Sequence, residues 1–237
     1  MTATDPNPVY VIEPPPQAWV PVGEGWERFP VRRIYCVGRN YAEHAREMGG
    51  DDRDPPFFFQ KPADALLHSG KVLPYPPLTE DLHHEVELVM ALKSGGRRLS
   101  ASAVADAVYG LAVGIDFTRR DLQAVAKKAG RPWEIGKAFD HSAAIAPLTP
   151  LDGAPLPTSG EIVLSVNGEV RQRGDIQDMV WGCLEIIQTL STHYTLAPGD
   201  LIYTGTPAGV GPLIPGDQLE ASVTGLAPLA IAVSDRD

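Results

Sequence analysis

Cysteine and long hydrophobic runs are the two scarcest features of this 237-residue sequence. Its only cysteines, Cys36 and Cys183, do not form a Cys-x-x-Cys pair. The sequence therefore indicates neither a disulfide framework nor a cysteine zinc site, and a reducing compartment fits. No apolar run approaches the roughly 20 residues of a membrane span, and the first thirty residues contain no signal-peptide hydrophobic core. We expect a soluble, cytoplasmic protein.

Basic residues are also fewer than acidic ones. Lysine and arginine number 20 against 30 acidic residues, which gives a net charge of −10. A protein this acidic is poorly suited to the phosphate backbone of nucleic acids or to an anionic membrane surface. A small molecule is therefore the expected partner.

Glycine and proline, in contrast, are frequent, with 23 of each. This frequency favours many short strands and turns over a helical bundle. Prolines concentrate in residues 1–30, which we interpret as an extended arm, and residues 31–237 are predicted to form a single domain. Few helices are scattered among the short strands, so the predicted fold is α+β, with a β-rich, rolled mixed sheet.

Hydrophobic periodicity and turn residues locate the main elements. An apolar run ending at Asp116 predicts a buried strand, and Thr118 with Asp121 resembles a capping box for a helix to about residue 129. The Asn167-Gly168 pair is typical of a hairpin turn. Other predicted elements are strands at 34–37, 57–59, 84–92, 201–204, 218–223 and 228–233, a short helix from Asn40 to Gly49, and a long helix over about 176–193.

Glu85 and Glu87 stand two apart on a predicted strand, so both carboxylates project from one face. Two anions so placed repel each other, so either one of them takes a proton or a hard divalent cation such as Mg²⁺ or Mn²⁺ neutralises them. A solvated strand face is the alternative. The preceding His83-His84 pair lacks the HExxH spacing of a helical zinc site.

Three further side chains are candidates for chemistry. Asp116 ends an apolar strand and needs a partner, either a shared metal or the nearby Arg119 and Arg120, unless it only begins a turn. His44 and Glu47 share one helix face, where the carboxylate could orient the imidazole as a general base; a surface pair is the alternative.

Seven stretches in order resemble the fumarylacetoacetate hydrolase family from about residue 31 to the C-terminus. They are CVGRNYAEHAREM (36–48), FFFQKP (57–62), DLHHEVELV (81–89), GIDFTRRDLQ (114–123), PWEIGKAFD (132–140), VNGEVRQ (166–172) and GDLIYTGTPAGVGP (199–212). The resemblance implies the family's mixed-sheet roll, which usually forms homodimers.

The resemblance also implies a site. Glu85, Glu87 and Asp116 would hold Mg²⁺ or Mn²⁺, which the 2-oxo-acid end of a substrate would chelate. His44 and Glu47 would lie on a lid helix and activate water, and Lys137 would stabilise the developing enolate. The remaining matches are to positions that line the substrate pocket: Lys61, Arg120, Gln123 and Thr206.

The activity implied is hydrolytic cleavage of a carbon–carbon bond in an acylpyruvate. Residues 29–66 look most like the family's fumarylpyruvate hydrolases of bacterial gentisate degradation, which yield fumarate and pyruvate. Arg46 and Arg53 are candidates for binding the fumaryl carboxylate. An acylpyruvase or oxaloacetate decarboxylase of the same family, and a non-catalytic binding protein on the same scaffold, are the alternatives.

Overall fold

The computed structural model describes residues 10–41 and 54–236, and their fold is the predicted β-rich α+β type. The strands are β1 Trp19–Pro21, β2 Arg28–Pro30, β3 Arg33–Gly38, β4 Phe57–Lys61, β5 Leu66–His68, β6 Val72–Leu73, β7 Leu82–His84, β8 Val86–Leu92, β9 Val108–Asp116, β10 Thr118–Arg119, β11 Ala143–Ile145, β12 Thr149–Pro150, β13 Glu161–Val166, β14 Glu169–Asp175, β15 Asp200–Tyr203, β16 Gly211–Leu213, β17 Gln218–Val223 and β18 Leu229–Val233. The helices are α1 Ala101–Ala107, α2 Arg120–Lys128, α3 Glu134–Lys137 and α4 Cys183–His193, with 3₁₀ turns at Ala63–Ala65 and Ile176–Asp178.

An eight-stranded mixed sheet positions the candidate site. Its order is β4-β3-β15-β8-β9-β11-β5, with β12 added beside β9. Every residue of the central strand β8 is buried. Even-numbered side chains such as Leu88 pack into one hydrophobic cluster, whereas Val89 and Ala91 pack into a second cluster on the opposite face. Because both faces are covered, β8 is apolar without alternation from Leu88 to Leu92, and Glu87 is its one charged residue.

A five-stranded sheet of order β14-β13-β17-β18-β6 and the helix α4 pack on the first cluster. The second cluster is covered by the pair of strands β1 and β2, through side chains that include Val20 and Phe29. The segment predicted as an extended arm thus contributes two short strands to the core. A three-stranded sheet of order β10-β7-β16 completes the described part of the chain.

Several element predictions are confirmed. Strand β9 ends at Asp116, and β13 and β14 form a hairpin. Asn167 and Gly168 connect them with φ angles of +53° and +81°, both in the left-handed region that a two-residue turn of this type requires.

Two element predictions are wrong. The helix predicted from about residue 176 begins only at Cys183, because the backbone around Met179 and Val180 bonds instead to residues 40 and 41. The Thr118 capping box does not form either: α2 follows Arg119, which makes no side-chain cap. Thr118 lies in β10 and accepts a hydrogen bond from Lys137 Nζ.

The short helix predicted after Asn40 lies largely outside the described residues. Among the helices of residues 10–41 and 54–236, none combines the length and the apolar character needed to cross a bilayer.

Candidate functional site

Strands β8 and β9 bring the three predicted acidic residues together. The two strands are antiparallel, with Glu87 opposite Gly114, and the Asp116 N–H donates to the Glu85 carbonyl at 2.9 Å. Glu85, Glu87 and Asp116 therefore project from one face of the sheet. Each can offer a carboxylate oxygen, and these oxygens lie within 4.8 Å of one another.

Burial excludes the solvated-face alternative for this triad. Glu85 is 6% exposed, Glu87 1% and Asp116 0%. Burial, followed by the negative charges of Asp116 and Glu85, raises the pKa of Glu87 well above its usual range. The Gly205 N–H donates to Glu87 Oε2 at 2.7 Å and partly opposes this shift.

Two buried lysines compensate the acidic triad. Lys61 Nζ lies 2.8 Å from Asp116 Oδ1. Lys137 Nζ donates to Asp116 Oδ2 at 2.7 Å and to Glu85 Oε2 at 2.8 Å, so its ammonium bridges two of the three acids. Burial alone would lower the pKa of Lys137, but the Asp116 and Glu85 carboxylates outweigh it and raise that pKa. Lys137 is therefore a cation at neutral pH.

Arg120 supplies a third positive charge, but it pairs with Glu85 and not with Asp116. Its Nη2 donates to Glu85 Oε1 at 2.5 Å, and its Nη1 donates to Gln123 Oε1 at 2.7 Å. Asp116 thus pairs with lysines. Arg120 and Gln123, both predicted to line the pocket, lie side by side at the first turn of α2 and face the triad.

A pocket connects the triad with an aromatic wall. Its lining includes Glu85, Glu87, Lys137 and Thr206. A larger cavity of about 720 Å³ adjoins it, and Phe57, Phe59 and Trp133 line both. The Phe57 and Trp133 rings meet edge to face at 5.2 Å. The site thus offers charged groups at its base and apolar surface at its mouth.

Three polar residues at the site were not predicted. Asn40 is fully buried, donates from its side chain to the Thr204 and Trp181 carbonyls, and accepts from the Trp181 N–H. Gln172 donates to Thr206 Oγ1 at 2.8 Å, and Thr118 accepts from Lys137 at 2.7 Å. All three lie inside the stretches that resemble the family, and this position was the signal that could have identified them. Their roles could not be predicted, because their hydrogen-bond partners are distant in the sequence.

The residues present fit a hard divalent cation. Three buried carboxylates form an oxygen-only donor set, which Mg²⁺ and Mn²⁺ prefer over softer metals. Burial and the mutual repulsion of the carboxylates raise the pKa of Glu87, and such an ion would relieve this cost. His44 and Glu47, the predicted general-base pair, lie outside the described residues, as do Arg46 and Arg53.

Two relatives with named activities are similar to most of the chain. The chain is 42% identical over 177 residues to a fumarylpyruvate hydrolase of a Ralstonia species, covering 75% of this chain and 92% of the relative. It is 39% identical over 196 residues to a mitochondrial oxaloacetate decarboxylase of Dictyostelium discoideum, covering 82% and 90%.

A crystal structure is similar over nearly the whole chain. It is that of the fumarylpyruvate hydrolase from Pseudomonas aeruginosa in complex with Mn²⁺ and pyruvate, with 45% identity and a TM-score of 0.93, covering 96% of this chain and 100% of that one. The family model described as fumarylacetoacetate (FAA) hydrolase C-terminal matches residues 33–234. The chain therefore belongs to the fumarylacetoacetate hydrolase family.

Proposed function

We propose that the protein is a metal-dependent hydrolase that cleaves a carbon–carbon bond of an acylpyruvate, and that fumarylpyruvate is its substrate. The observation that carries this proposal is the buried Glu85, Glu87 and Asp116 triad with Lys137 bridging two of its members. The similarity to fumarylpyruvate hydrolases supports the choice of acyl group.

The charges of the site favour an anionic ligand. The three carboxylates are balanced by Lys61, Lys137 and Arg120. Mg²⁺ or Mn²⁺ held by Glu85, Glu87 and Asp116 would polarise the 2-oxo group of the substrate. With such an ion the site carries two surplus positive charges, which suits a dianionic acylpyruvate despite the acidity of the whole protein.

Lys137 is the group proposed to stabilise the leaving enolate. Its pKa is raised, so the ammonium stays charged, and it is nearly fully buried, where an ionic hydrogen bond to a developing oxyanion is strong. His44 is proposed to take a proton from water, with Glu47 orienting its imidazole. These two residues follow Asn40 in the sequence, and the Asn40 side chain donates to the Thr204 carbonyl at 2.8 Å.

The acyl chain is proposed to lie against Phe57, Phe59 and Trp133, which line both adjoining cavities. Arg39 also lines the inner pocket. Its Nε is buried and has no hydrogen-bond partner among the described residues, and its guanidinium lies 5.9 Å from the Phe57 ring centre. Arg39 is therefore a third candidate for binding the distal carboxylate, in addition to the sequence candidates Arg46 and Arg53.

Loss of the fumarylpyruvate enol absorbance, followed with Mn²⁺, with Mg²⁺ and with excess chelator, tests the proposal. We expect cleavage to fumarate and pyruvate with either ion and none with chelator. Glu87→Gln should weaken Mn²⁺ binding and lower turnover by about 10² or more. Glu220→Gln, at an exposed position of β17, is the matched control. Full cleavage in chelator, or a fully active Glu87→Gln variant, would rule the proposal out.

An oxaloacetate decarboxylase is the second candidate, because a relative of that name is 39% identical over 82% of this chain. Both reactions pass through a pyruvate enolate, so the same residues would serve either. Turnover of fumarylpyruvate, acetylpyruvate and oxaloacetate, measured side by side, separates the two candidates: a kcat/KM for oxaloacetate exceeding that for the other two would favour the second.

A further inference from the structure

Gln172 is a buried amide on a strand whose other residues are exposed or half-buried. The pairing of β14 with β13 contains a β-bulge. Gln172 lies opposite the core residue Leu164 and Val170 lies opposite Ser165, so Arg171 is an extra residue in β14. Without the extra residue Gln172 would stand opposite Val163, and its side chain would point to the other face of the sheet. The bulge therefore directs this amide towards the candidate site.

Two backbone groups fix which way the Gln172 amide points. The Val86 N–H, which can only donate, lies 3.1 Å from Oε1. The Pro207 carbonyl, which can only accept, lies 2.9 Å from Nε2. Flipping the amide would oppose donor to donor and acceptor to acceptor, so the observed orientation is the stable one. His84 Nδ1, 2.8 Å from Oε1, must then carry a proton and donate.

The orientation of Gln172 determines the role of Thr206. The second Nε2 proton donates to Thr206 Oγ1 at 2.8 Å. A hydroxyl that accepts from this amide keeps its own proton for a different acceptor. Thr206 lines the pocket together with Glu87 and Lys137, so a ligand in this pocket could accept that proton.

The loop that carries Thr206 packs closely on β14, which maintains the hydrogen bond between Gln172 and Thr206. Gly209 has a φ of +92°, and a Cβ there would lie 2.4 Å from the Arg171 carbonyl oxygen. On the same strand, a Cβ at Gly174 would lie 2.7 Å from Pro207 Cβ. The spacing between loop and strand is thus set by glycine at both positions.

We propose that Gln172 is a positioning residue that directs the Thr206 hydroxyl proton to an anionic oxygen of a bound 2-oxo acid. The inference rests on the proposed function in one respect, namely that the pocket takes such an acid. Gln172 does not touch the ligand. It acts by donating to the Thr206 oxygen, so that the hydroxyl proton points away from the amide and can be donated to a carboxylate or enolate oxygen.

Pyruvate binding to the Mn²⁺-saturated protein, measured by calorimetry, tests the proposal. Thr206→Val should weaken pyruvate binding by about 10- to 100-fold, as expected for loss of a hydrogen bond to a charged group, whereas Thr206→Ser should retain most of the affinity. Gln172→Glu accepts where Gln172 donates, so it should turn the Thr206 proton away from the ligand and cause a similar loss. Adding Thr206→Val to Gln172→Glu should then weaken pyruvate binding by less than about a further twofold.

Additive losses in the double variant would overturn the role of Gln172, and unchanged pyruvate affinity in a folded Thr206→Val variant would overturn the role of Thr206. If Gln172→Glu does not fold, Gln172→Met replaces it, and unaltered pyruvate affinity in that variant would likewise contradict the proposal. Turnover is measured separately on acylpyruvates. If the protein cleaves no acylpyruvate but the Gln172 and Thr206 substitutions remain non-additive in pyruvate affinity, the proposed function is wrong and this inference still holds.

Discussion

At the residue scale, the charge balance around Asp116 governs the site. Each oxygen of this fully buried carboxylate faces one lysine, Lys61 at 2.8 Å and Lys137 at 2.7 Å. A buried carboxylate without such partners would be strongly destabilising. Because Lys137 also contacts Glu85, its ammonium lies between two acids that are the expected ligands of the metal ion.

Lys137→Met is predicted to separate metal binding from turnover. Removing a cation beside three carboxylates should leave Mn²⁺ affinity unchanged or higher, because the site becomes more negative. Turnover of fumarylpyruvate should fall by about 10² or more, because the enolate loses its ammonium partner. Calorimetry with Mn²⁺ and the cleavage assay measure the two effects, with the exposed Lys128→Met as the control. A parallel loss of Mn²⁺ affinity would instead make Lys137 a support of the metal site.

At the element scale, helix α2 is fixed by its first turn to the segment before β7. Asp121 accepts from Thr79 Oγ1 at 2.6 Å, from the Glu80 N–H at 3.1 Å and from the Leu122 N–H at 2.8 Å. Burial alone would raise the pKa of Asp121, but these hydrogen bonds outweigh it and lower that pKa. Since α2 also carries Arg120, Asp121 holds the helix that brings a guanidinium to Glu85.

Asp121→Asn is predicted to destabilise the protein by about 1–2 kcal/mol at neutral pH, because hydrogen bonds to a charged acceptor are lost. The folded-state pKa is lowered, so the carboxylate contributes fully above its unfolded pKa of about 4. That contribution disappears as the pH falls through the folded-state pKa. Urea unfolding at several pH values measures this, with the exposed Asp106→Asn as control. A stability difference independent of pH would contradict the account.

Local sequence signals predicted those elements whose partners are near in the chain. The hairpin at Asn167-Gly168 and the strand ending at Asp116 are examples. The capping-box prediction failed because Thr118 hydrogen-bonds to Lys137 and Asp121 to Thr79, both distant contacts. The long helix failed for the same reason: residues around Met179 pair with Tyr41 in place of continuing a helix.

At the scale of the whole molecule, the site assembles from distant parts of one sheet. Glu85 and Glu87 could be predicted as a pair, and Asp116 as a buried acid, because strand alternation and strand ends are visible in the sequence. The pairing of Asp116 with Lys61 could not, because four strand pairings separate β4 from β9 in the sheet and only the rolling of the sheet brings the two side chains together. The family resemblance predicts which residues form the site, and the arrangement of the strands in the sheet determines where those residues lie.

The central claim is that Glu85, Glu87 and Asp116 together bind one hard divalent cation that receives a 2-oxo acid. Anomalous diffraction at the manganese edge, from crystals grown with Mn²⁺ and pyruvate, tests it most directly. The account predicts a single strong peak at about 2.0–2.3 Å from one oxygen of each of the three carboxylates, with pyruvate oxygens completing the coordination. Manganese bound elsewhere, or no peak among these three side chains, would contradict the account.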